Sequence, residues 1–157
     1  VGDHRDQIQS VLQASDLNVE IEIVHCEDPQ KGLAEGLLLV EKRVPEAFVT
    51  ILGDELYLDS KHAEFLQYWR PDMAALCGFI PGAPPERIRK NYSLDLADHR
   101  VLNLVEKPDH PSNDLLGVGT LVFSSQIFSA IRQTPLSKRT GKVELIDALS
   151  ALARSSE

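Results

Sequence analysis

The chain of 157 residues has the length and composition of one globular domain. Hydrophobic residues make up 43% of it and charged residues 25%, which excludes a disordered segment. The net charge of −8 argues against binding to nucleic acid, whose backbone must be neutralised by clustered Lys and Arg. No apolar stretch is long enough to span a bilayer, and no signal-peptide pattern opens the chain. Cys26 and Cys77 lie in separate apolar segments without metal-ligand spacing, so we expect buried thiols in a reducing cytoplasm.

Apolar periodicity predicts strands and helices that alternate through the first half of the chain. The predicted helices cover residues 3–12, with Asp3 as the N-cap, 32–43, 61–70, 125–132 and 143–153. The predicted strands cover residues 19–23, 48–52, 74–80, 92–96, 100–105 and 118–123. This alternation favours an α/β fold with a mostly parallel sheet, and residues 97–99 are expected to join the strands of an added β-hairpin. The Pro- and Gly-rich segment 81–85 is interpreted as a loop within one domain.

Asp54 is the most informative candidate residue. It follows Gly53 directly after the apolar strand predicted over residues 48–52. Ligands of α/β proteins collect just beyond the carboxyl ends of parallel strands, and a carboxylate there can hold a hydrated Mg²⁺ together with a polyphosphate. The plainer interpretation is a turn, because turns favour Gly and Asp. Glu55 and Asp59 add little to the choice, since both can simply be solvated.

Three further segments carry candidate chemistry. Gly32 begins a predicted helix, where a glycine lets a planar ligand approach the backbone closely. At a strand end, Lys107 is a point charge suited to phosphate and Glu106 can accept hydrogen bonds from sugar hydroxyls. Glu144 and Asp147 are three residues apart, so they share one face of a helix. A turn glycine, a surface ion pair and a solvated helix face are the plainer alternatives, and they stay open at this point.

Taken in chain order, these segments resemble the sugar-1-phosphate nucleotidyltransferase family, and most of all its glucose-1-phosphate thymidylyltransferase branch. Each motif is weak alone, but five of them in the family's order are specific, and the similarity covers nearly all of the chain. The matching motifs are Gly32-Leu33-Ala34, Ile51-Leu52-Gly53-Asp54, Glu106-Lys107-Pro108 with Pro111-Ser112-Asn113, the glycine-containing strand from Gly117 to Phe123, and Glu144-Leu145-Ile146-Asp147.

The resemblance implies a Rossmann-like α/β fold with helices on both faces of the sheet. It also implies a reaction in which an NTP and a sugar 1-phosphate give an NDP-sugar and pyrophosphate. The attacking phosphate oxygen is already anionic, so catalysis consists of alignment and charge neutralisation. By position in the family motifs, Asp54 and Asp147 would be the ligands of a Mg²⁺ cofactor. Lys107 would be the third catalytic residue and would contact the phosphate of the sugar.

The same resemblance implies the substrate contacts. Gly32 would pack its backbone on the base, Glu106 would hold the sugar, and Gly117 would belong to the substrate-binding strand. Glu27 stands where many members have a glutamine that reads uracil or thymine. An ionised carboxylate only accepts hydrogen bonds, so it suits the adjacent N1–H and amino donors of guanine better. We therefore hypothesise that Glu27 moves base preference away from thymine and towards guanine, against the alternative that its side chain points into solvent.

The chain also departs from the family pattern. The family's N-terminal Gly-rich loop, with its catalytic Arg, has no counterpart in the sequence, and neither has the later segment that completes the sugar side. We therefore expect residues 1–157 to form a single nucleotidyltransferase-like domain that is the central part of a larger catalytic domain and is inactive alone.

Two other functions stay open. One is a non-catalytic regulatory or assembly subunit of the same fold, although such a protein need not keep both Asp54 and Asp147. The other is a metal-dependent glycosyltransferase, but those enzymes typically pair two Asp one residue apart, whereas Glu55 and Leu56 follow Asp54. The expected partners are an NTP and a sugar 1-phosphate, with no nucleic acid and no membrane, and a homo-oligomer is compatible with the sequence.

Overall fold

The computed structural model describes residues 4–155, which form an α/β structure with one five-stranded sheet. The described helices are α1 (Arg5–Ala14), α2 (Leu33–Leu38), α3 (His62–Leu66), α4 (Pro85–Ile88), α5 (Gln126–Gln133) and α6 (Leu145–Ser155), with a 3-10 helix at Pro29–Lys31. The described strands are β1 (Ala47–Ile51), β2 (Ala75–Ile80), β3 (Tyr92–Ala97), β4 (Arg100–Glu106) and β5 (Leu116–Ser124).

The sheet is organised around β5. This strand pairs antiparallel with β1, β2 and β3, and β3 pairs antiparallel with β4. Residues 121–123 pair with both β1 and β2, so these two strands flank β5 on opposite edges and run in the same direction as each other. The mostly parallel sheet that we expected is not confirmed. The reason is that β1 and β2, which run in the same direction, are separated by β5, which runs in the opposite direction.

The predicted β-hairpin is confirmed as β3 and β4. Its two-residue turn consists of Asp98 and His99, which have φ angles of 48° and 68°. Positive φ at both central residues is the conformation whose twist matches a two-stranded antiparallel ribbon, and Asp is favoured in such turns. The local sequence therefore sets the turn, while Leu94 and Leu104 of its two strands are buried in a core that the rest of the chain completes.

The strand predicted over residues 19–23 is wrong. These residues have no regular secondary structure, and none of the described strand pairings includes them. Val19 and Ile21 are 65% and 41% exposed. The alternation of Val and Ile with Glu indicates a side that favours burial, but a strand also needs a neighbouring backbone to pair with. The predicted N-cap of the first helix, Asp3, lies outside the described residues.

Two helices are shorter than their apolar spacing predicts. α2 ends at Leu38 rather than at residue 43, and α3 ends at Leu66 rather than at residue 70. Beyond both ends the backbone continues in turns with i→i+3 hydrogen bonds, such as Arg43 N–H to the Val40 carbonyl and Trp69 N–H to the Leu66 carbonyl. None of the described helices is long and apolar enough to cross a bilayer.

The core lies between the sheet and the two C-terminal helices. Phe123 of β5 is fully buried, and the Phe48 ring stacks on Phe128 of α5 at a centroid distance of 5.6 Å. α6 buries its apolar face against β4 and α5, and its Ser150 hydroxyl accepts a hydrogen bond from the Leu104 N–H at 3.2 Å. This packing sets where the first turn of α6 meets the end of β4.

Both cysteines are free thiols, as expected, but the residues are partly buried and not fully buried. Burial raises the pKa of Cys77 to about 12, so this side chain stays protonated at neutral pH. It behaves as a small apolar core residue and not as a nucleophile.

Gly117 of β5 lies directly beneath the ring of Tyr92. A Cβ atom at this position would stand 2.0 Å from a ring carbon, a distance that no packed pair of carbons tolerates. The Tyr92 hydroxyl donates a hydrogen bond to the Val118 carbonyl at 3.0 Å, so the ring cannot simply move away. The glycine is therefore needed for packing, whatever else it contacts.

We expect Gly117→Ala to lower the free energy of unfolding of the intact protein by about 1–3 kcal/mol, because the added methyl group overlaps the Tyr92 ring. Urea unfolding measures the loss. Gly36→Ala is the control, since nothing lies within 4 Å of its Cβ position and alanine favours the α2 helix by about 0.5–1 kcal/mol. An unchanged unfolding midpoint in Gly117→Ala would contradict this account.

Candidate functional site

The end of β4 carries Glu106 and Lys107 in a constrained turn. Lys107 has a positive φ of 46°, which is uncommon for a residue with a side chain. Its N–H donates a hydrogen bond to the Asn91 carbonyl at 2.6 Å, and this bond holds the turn. The Lys107 ammonium nitrogen lies 3.6 Å from Glu106 Oε1. A left-handed residue of this kind is typical of functional sites, where the surrounding structure offsets the strain.

The beginning of α6 brings two more carboxylates to the same region. Glu144 directly precedes the helix and Asp147 lies in its first turn. The Thr140 hydroxyl donates a hydrogen bond to Glu144 Oε1 at 2.6 Å, which anchors the preceding loop to the helix. Glu144 and Asp147 were expected to share a helix face, but Glu144 stands just outside α6, where its carbonyl accepts from the Ala148 N–H at 3.2 Å. Its charge nevertheless raises the pKa of Asp147.

Electrostatic coupling shows that these groups share one environment. Burial raises the pKa of Glu106 above the ordinary carboxyl value, and the negative charge of Glu144 raises it further. The pKa of Asp147 is raised by the same two causes, burial first and Glu144 second. Arg139 lowers both of these pKa values, because its positive charge favours the ionised form of both carboxyl groups. Sequence reasoning missed Arg139, because a single cation in a polar loop has no distinguishing pattern.

The Pro-Ser-Asn motif has a structural role in this site. Asp95 of β3 accepts hydrogen bonds at one carboxylate oxygen from the Ser112 hydroxyl at 3.0 Å and from the Asn113 amide at 3.1 Å. Asn113 also donates to the Leu94 carbonyl at 3.0 Å. These bonds attach the loop that follows Lys107 to strand β3 of the hairpin, so Ser112 and Asn113 hold the C-terminal part of that loop in place.

Asp54 is exposed in the turn that follows β1. The expectation that its neighbour Glu55 is merely solvated is wrong. Both Glu55 carboxylate oxygens accept from the N–H of Gly119, at 2.9 and 3.0 Å, and the Tyr57 hydroxyl donates to the same carboxylate. The sequence contained no sign of this, because the partner Gly119 is distant along the chain.

Gly32 links the 3-10 helix to α2 with a φ of 92°, a conformation that favours glycine. Its Cβ position would be 3.8 Å from Cδ of Lys142, so the loop before α6 reaches this glycine. Glu27 is exposed two residues before the 3-10 helix, which leads directly to Gly32. An apolar cavity of about 320 Å³ lies elsewhere, between α1 and α2, and none of the predicted catalytic residues lines it.

The helix α6, which carries Asp147 in its first turn, packs on β4, which ends at Glu106 beside Lys107, and Glu144 and Arg139 influence the pKa of both carboxyl groups. Asp54 belongs to a different element, the turn after β1. Tyr92 lies opposite Glu106 in the β3–β4 pairing, and its ring covers Gly117 of β5, two residues before the Gly119 that binds Glu55. Within residues 4–155, no hydrogen bond joins Asp54 to Asp147, and no group of three His, Cys, Asp or Glu side chains could hold a metal ion.

The donor chemistry nevertheless fits one kind of metal site. Mg²⁺ usually keeps several waters and takes one or two protein carboxylates together with substrate phosphates. Asp54 and Asp147 offer oxygen donors of this type, and neither forms an ion pair among the described residues. They suit a metal that is shared with a polyphosphate, and they do not suit a cage made by protein ligands alone.

Comparison with known proteins gives a consistent result. The model of the nucleotidyl transferase family matches residues 2–157. A UTP–glucose-1-phosphate uridylyltransferase of Haloferax volcanii is 28% identical over 127 residues, which are 80% of this chain and 51% of that protein. A glucose-1-phosphate thymidylyltransferase of Streptomyces griseus is 29% identical over 157 residues, which are 97% of this chain and 42% of that protein.

Solved structures show the same fold. The inositol-1-phosphate CTP transferase from T. maritima superimposes with a TM-score of 0.75 at 20% identity, over 99% of this chain and 60% of that chain. The chain thus spans about half or less of the length of the two curated relatives, and somewhat more than half of this structure.

We expect Glu106→Gln to weaken the dependence of stability on pH. A carboxyl group whose folded-state pKa is raised favours folding fully below its unfolded pKa, and this contribution is lost as the pH rises through the folded pKa. Between about pH 4 and about pH 7, wild type should therefore lose more unfolding free energy than the variant. Urea unfolding of the intact protein at several pH values measures both slopes. Glu86→Gln, at an exposed position of α4, should keep the wild-type slope, and equal slopes in all three proteins would contradict the prediction.

Proposed function

The chain belongs to the nucleotidyl transferase family, and from this membership we propose that the intact protein transfers a nucleotidyl group from an NTP to a sugar 1-phosphate. A phosphate oxygen of the sugar phosphate forms a bond to the α-phosphorus of the NTP. The bond from that phosphorus to the bridging oxygen breaks, and pyrophosphate leaves with the electron pair. The observation that carries the proposal is the packing of α6, which bears Asp147, on β4, which ends at Glu106 beside Lys107. Glu144 and Arg139 influence the pKa of both carboxyl groups.

Lys107 and Glu106 form the proposed sugar-phosphate subsite. The ammonium group of Lys107 is half exposed and can reach an incoming phosphate, while its backbone is held by Asn91. Glu106 lies beside it and can accept hydrogen bonds from sugar hydroxyls. Because the attacking oxygen is already anionic, the pair has to align the phosphate and neutralise its charge, and no general base is needed. Arg139 adds a second cation, whose charge lowers the pKa of both Glu106 and Asp147.

Asp54 and Asp147 are the proposed ligands of the metal, which we propose to be Mg²⁺. Such an ion, when bound, would neutralise charge on the phosphates of the NTP. The two carboxylates come from the turn after β1 and from the first turn of α6. Gly32 offers its backbone to the base, and Gly117 belongs to the substrate-binding strand, where it lies beneath the Tyr92 ring.

Asp54→Asn and Asp147→Asn in the intact protein should each fold normally and lower turnover by at least about 100-fold, because each removes a charged ligand from the proposed metal site. Pyrophosphate release, measured with several NTPs and sugar 1-phosphates, reports the rate. Asp72→Asn is the matched control, since this exposed aspartate pairs only with Arg70 on the surface.

Wild-type rates in both site variants would reject the metal role. A folded intact protein that releases no pyrophosphate with any substrate pair would instead favour a non-catalytic subunit of the same family. The two results are distinct, because the first concerns two residues and the second concerns the wild-type protein.

Glu27 is proposed to shift base preference towards guanine, and this proposal has its own test. Its support is position: Glu27 is exposed immediately ahead of the segment that leads to Gly32. Calorimetric titration of the intact protein should find GTP bound more tightly than UTP or dTTP, because a carboxylate accepts from the adjacent donors of guanine. Glu27→Gln should reverse that order, whereas Glu35→Gln, in α2, should leave it unchanged. Tightest binding of UTP or dTTP to wild type would reject the idea.

A further inference from the structure

The turn that carries Asp54 is closed on a single residue of β5. On one side of the turn, the Leu52 N–H donates to the Gly119 carbonyl at 3.1 Å. On the other side, the Gly119 N–H donates to both oxygens of the Glu55 carboxylate. Gly53 and Asp54 therefore lie between two attachments to the same residue, one to the Gly119 carbonyl and one to the Gly119 N–H. Neither residue needs a direct contact of its own to be held.

Glu55 is itself held by a second set of contacts. The Tyr57 hydroxyl donates to its carboxylate, and the Tyr57 ring packs edge-on against the His62 ring with centroids 4.6 Å apart. His62 in turn lies within hydrogen-bond distance of Thr120 Oγ1, at 2.9 Å, and of Ser60 Oγ, at 2.8 Å. Thr120 is the residue after Gly119, so the second set returns to the same point of β5.

The packing around Gly119 leaves no room for a side chain at this position. A Cβ atom on Gly119 would stand 2.5 Å from the Leu52 side chain, so only glycine lets the end of β1 approach β5 this closely. A carboxylate that accepts from a backbone N–H forms a charge-assisted hydrogen bond, which is about twice as strong as a neutral one. Glu55 is partly buried, and its hydrogen bonds offset the cost of that burial.

We propose that Glu55 is a positioning residue for Asp54. By binding the Gly119 N–H, it fixes the turn in the conformation that presents the Asp54 carboxylate towards the metal and the phosphates of the NTP. Tyr57 and His62 support Glu55 from behind. This inference rests on the proposed function, since it requires Asp54 to act on a metal–nucleotide complex. It adds that the position of the Asp54 carboxylate is set by Glu55, whose own carboxylate contacts neither the metal nor the substrate.

Binding without turnover tests the inference. The intact protein is mixed with Mn²⁺ and its preferred NTP in the absence of any sugar 1-phosphate, and the free Mn²⁺ is measured by electron paramagnetic resonance. Glu55→Ala should raise the dissociation constant for Mn²⁺ about ten-fold, as is usual for the loss of an outer-shell partner of a metal ligand. Hydrogen exchange at the Gly119 amide should become faster, while the KM for the sugar 1-phosphate stays unchanged because Glu106 and Lys107 are untouched.

Matched variants separate positioning from a general loss of structure. Glu55→Gln keeps one acceptor oxygen for the Gly119 N–H and should restore most of the Mn²⁺ affinity. Tyr57→Phe removes only the supporting hydroxyl and should shift the affinity in the same direction as Glu55→Ala but less. Glu64→Ala removes an exposed glutamate of α3 that pairs with Lys61 and should behave as wild type. Should Glu55→Ala fail to fold, the Gln and Phe variants still carry the comparison.

The outcomes distinguish this inference from the proposed function. If Asp54→Asn weakens Mn²⁺ binding and the Glu55 and Tyr57 variants do not, the positioning role is overturned and the metal role of Asp54 stands. If Asp54→Asn leaves Mn²⁺ binding unchanged, the metal role itself is overturned. A ten-fold loss in both Asp54→Asn and Glu55→Ala, with recovery in Glu55→Gln, supports both.

Discussion

The antiparallel pairing of β5 is the constraint on which the rest of this structure depends. Its backbone hydrogen-bonds to β1 and β2 on opposite edges and also to β3. Three strands from earlier in the chain are therefore joined by this one strand. Backbone groups buried in this way must be paired, which leaves β5 little freedom to shift along its neighbours. The end of β1, the hairpin and the helices that follow β5 are thereby placed relative to each other.

The glycines of β5 connect this constraint to the candidate site. Gly117 makes room for the Tyr92 ring, and Gly119 makes room for Leu52 while offering its N–H to Glu55. A side chain at position 117 would push away the Tyr92 ring, and one at position 119 would push away the Leu52 side chain. The same strand therefore supports the Asp54 turn through Gly119 and contacts, through Gly117, the ring of Tyr92, which is paired with Glu106 in the hairpin. Packing and the proposed chemistry depend on the same small residues.

Local chemistry explains which elements could be predicted. The hairpin follows from its Asp-His turn and from alternating strands, all within one short segment. The strand over residues 19–23 could not be judged in the same way, because alternation says which face favours burial and not whether a partner strand is adjacent. The prediction that Glu55 is solvated was wrong for a similar reason. Its carboxylate accepts from Gly119, and nothing near Glu55 in the chain indicates that partner. Arg139 was not predicted either, because its influence on the pKa of Glu106 and Asp147 depends on the fold.

The sequence by itself determined the family, because five short motifs in the right order are improbable by chance even though each is weak. It also determined which residue types were available for metal, phosphate and sugar contacts. Only the tertiary structure decided which of them come together. Glu106, Lys107 and Asp147 converge because α6 packs on β4, while Asp54 stands apart in a turn closed on Gly119. The physical reason is that motifs are local, whereas electrostatic coupling and strand pairing join residues distant along the chain.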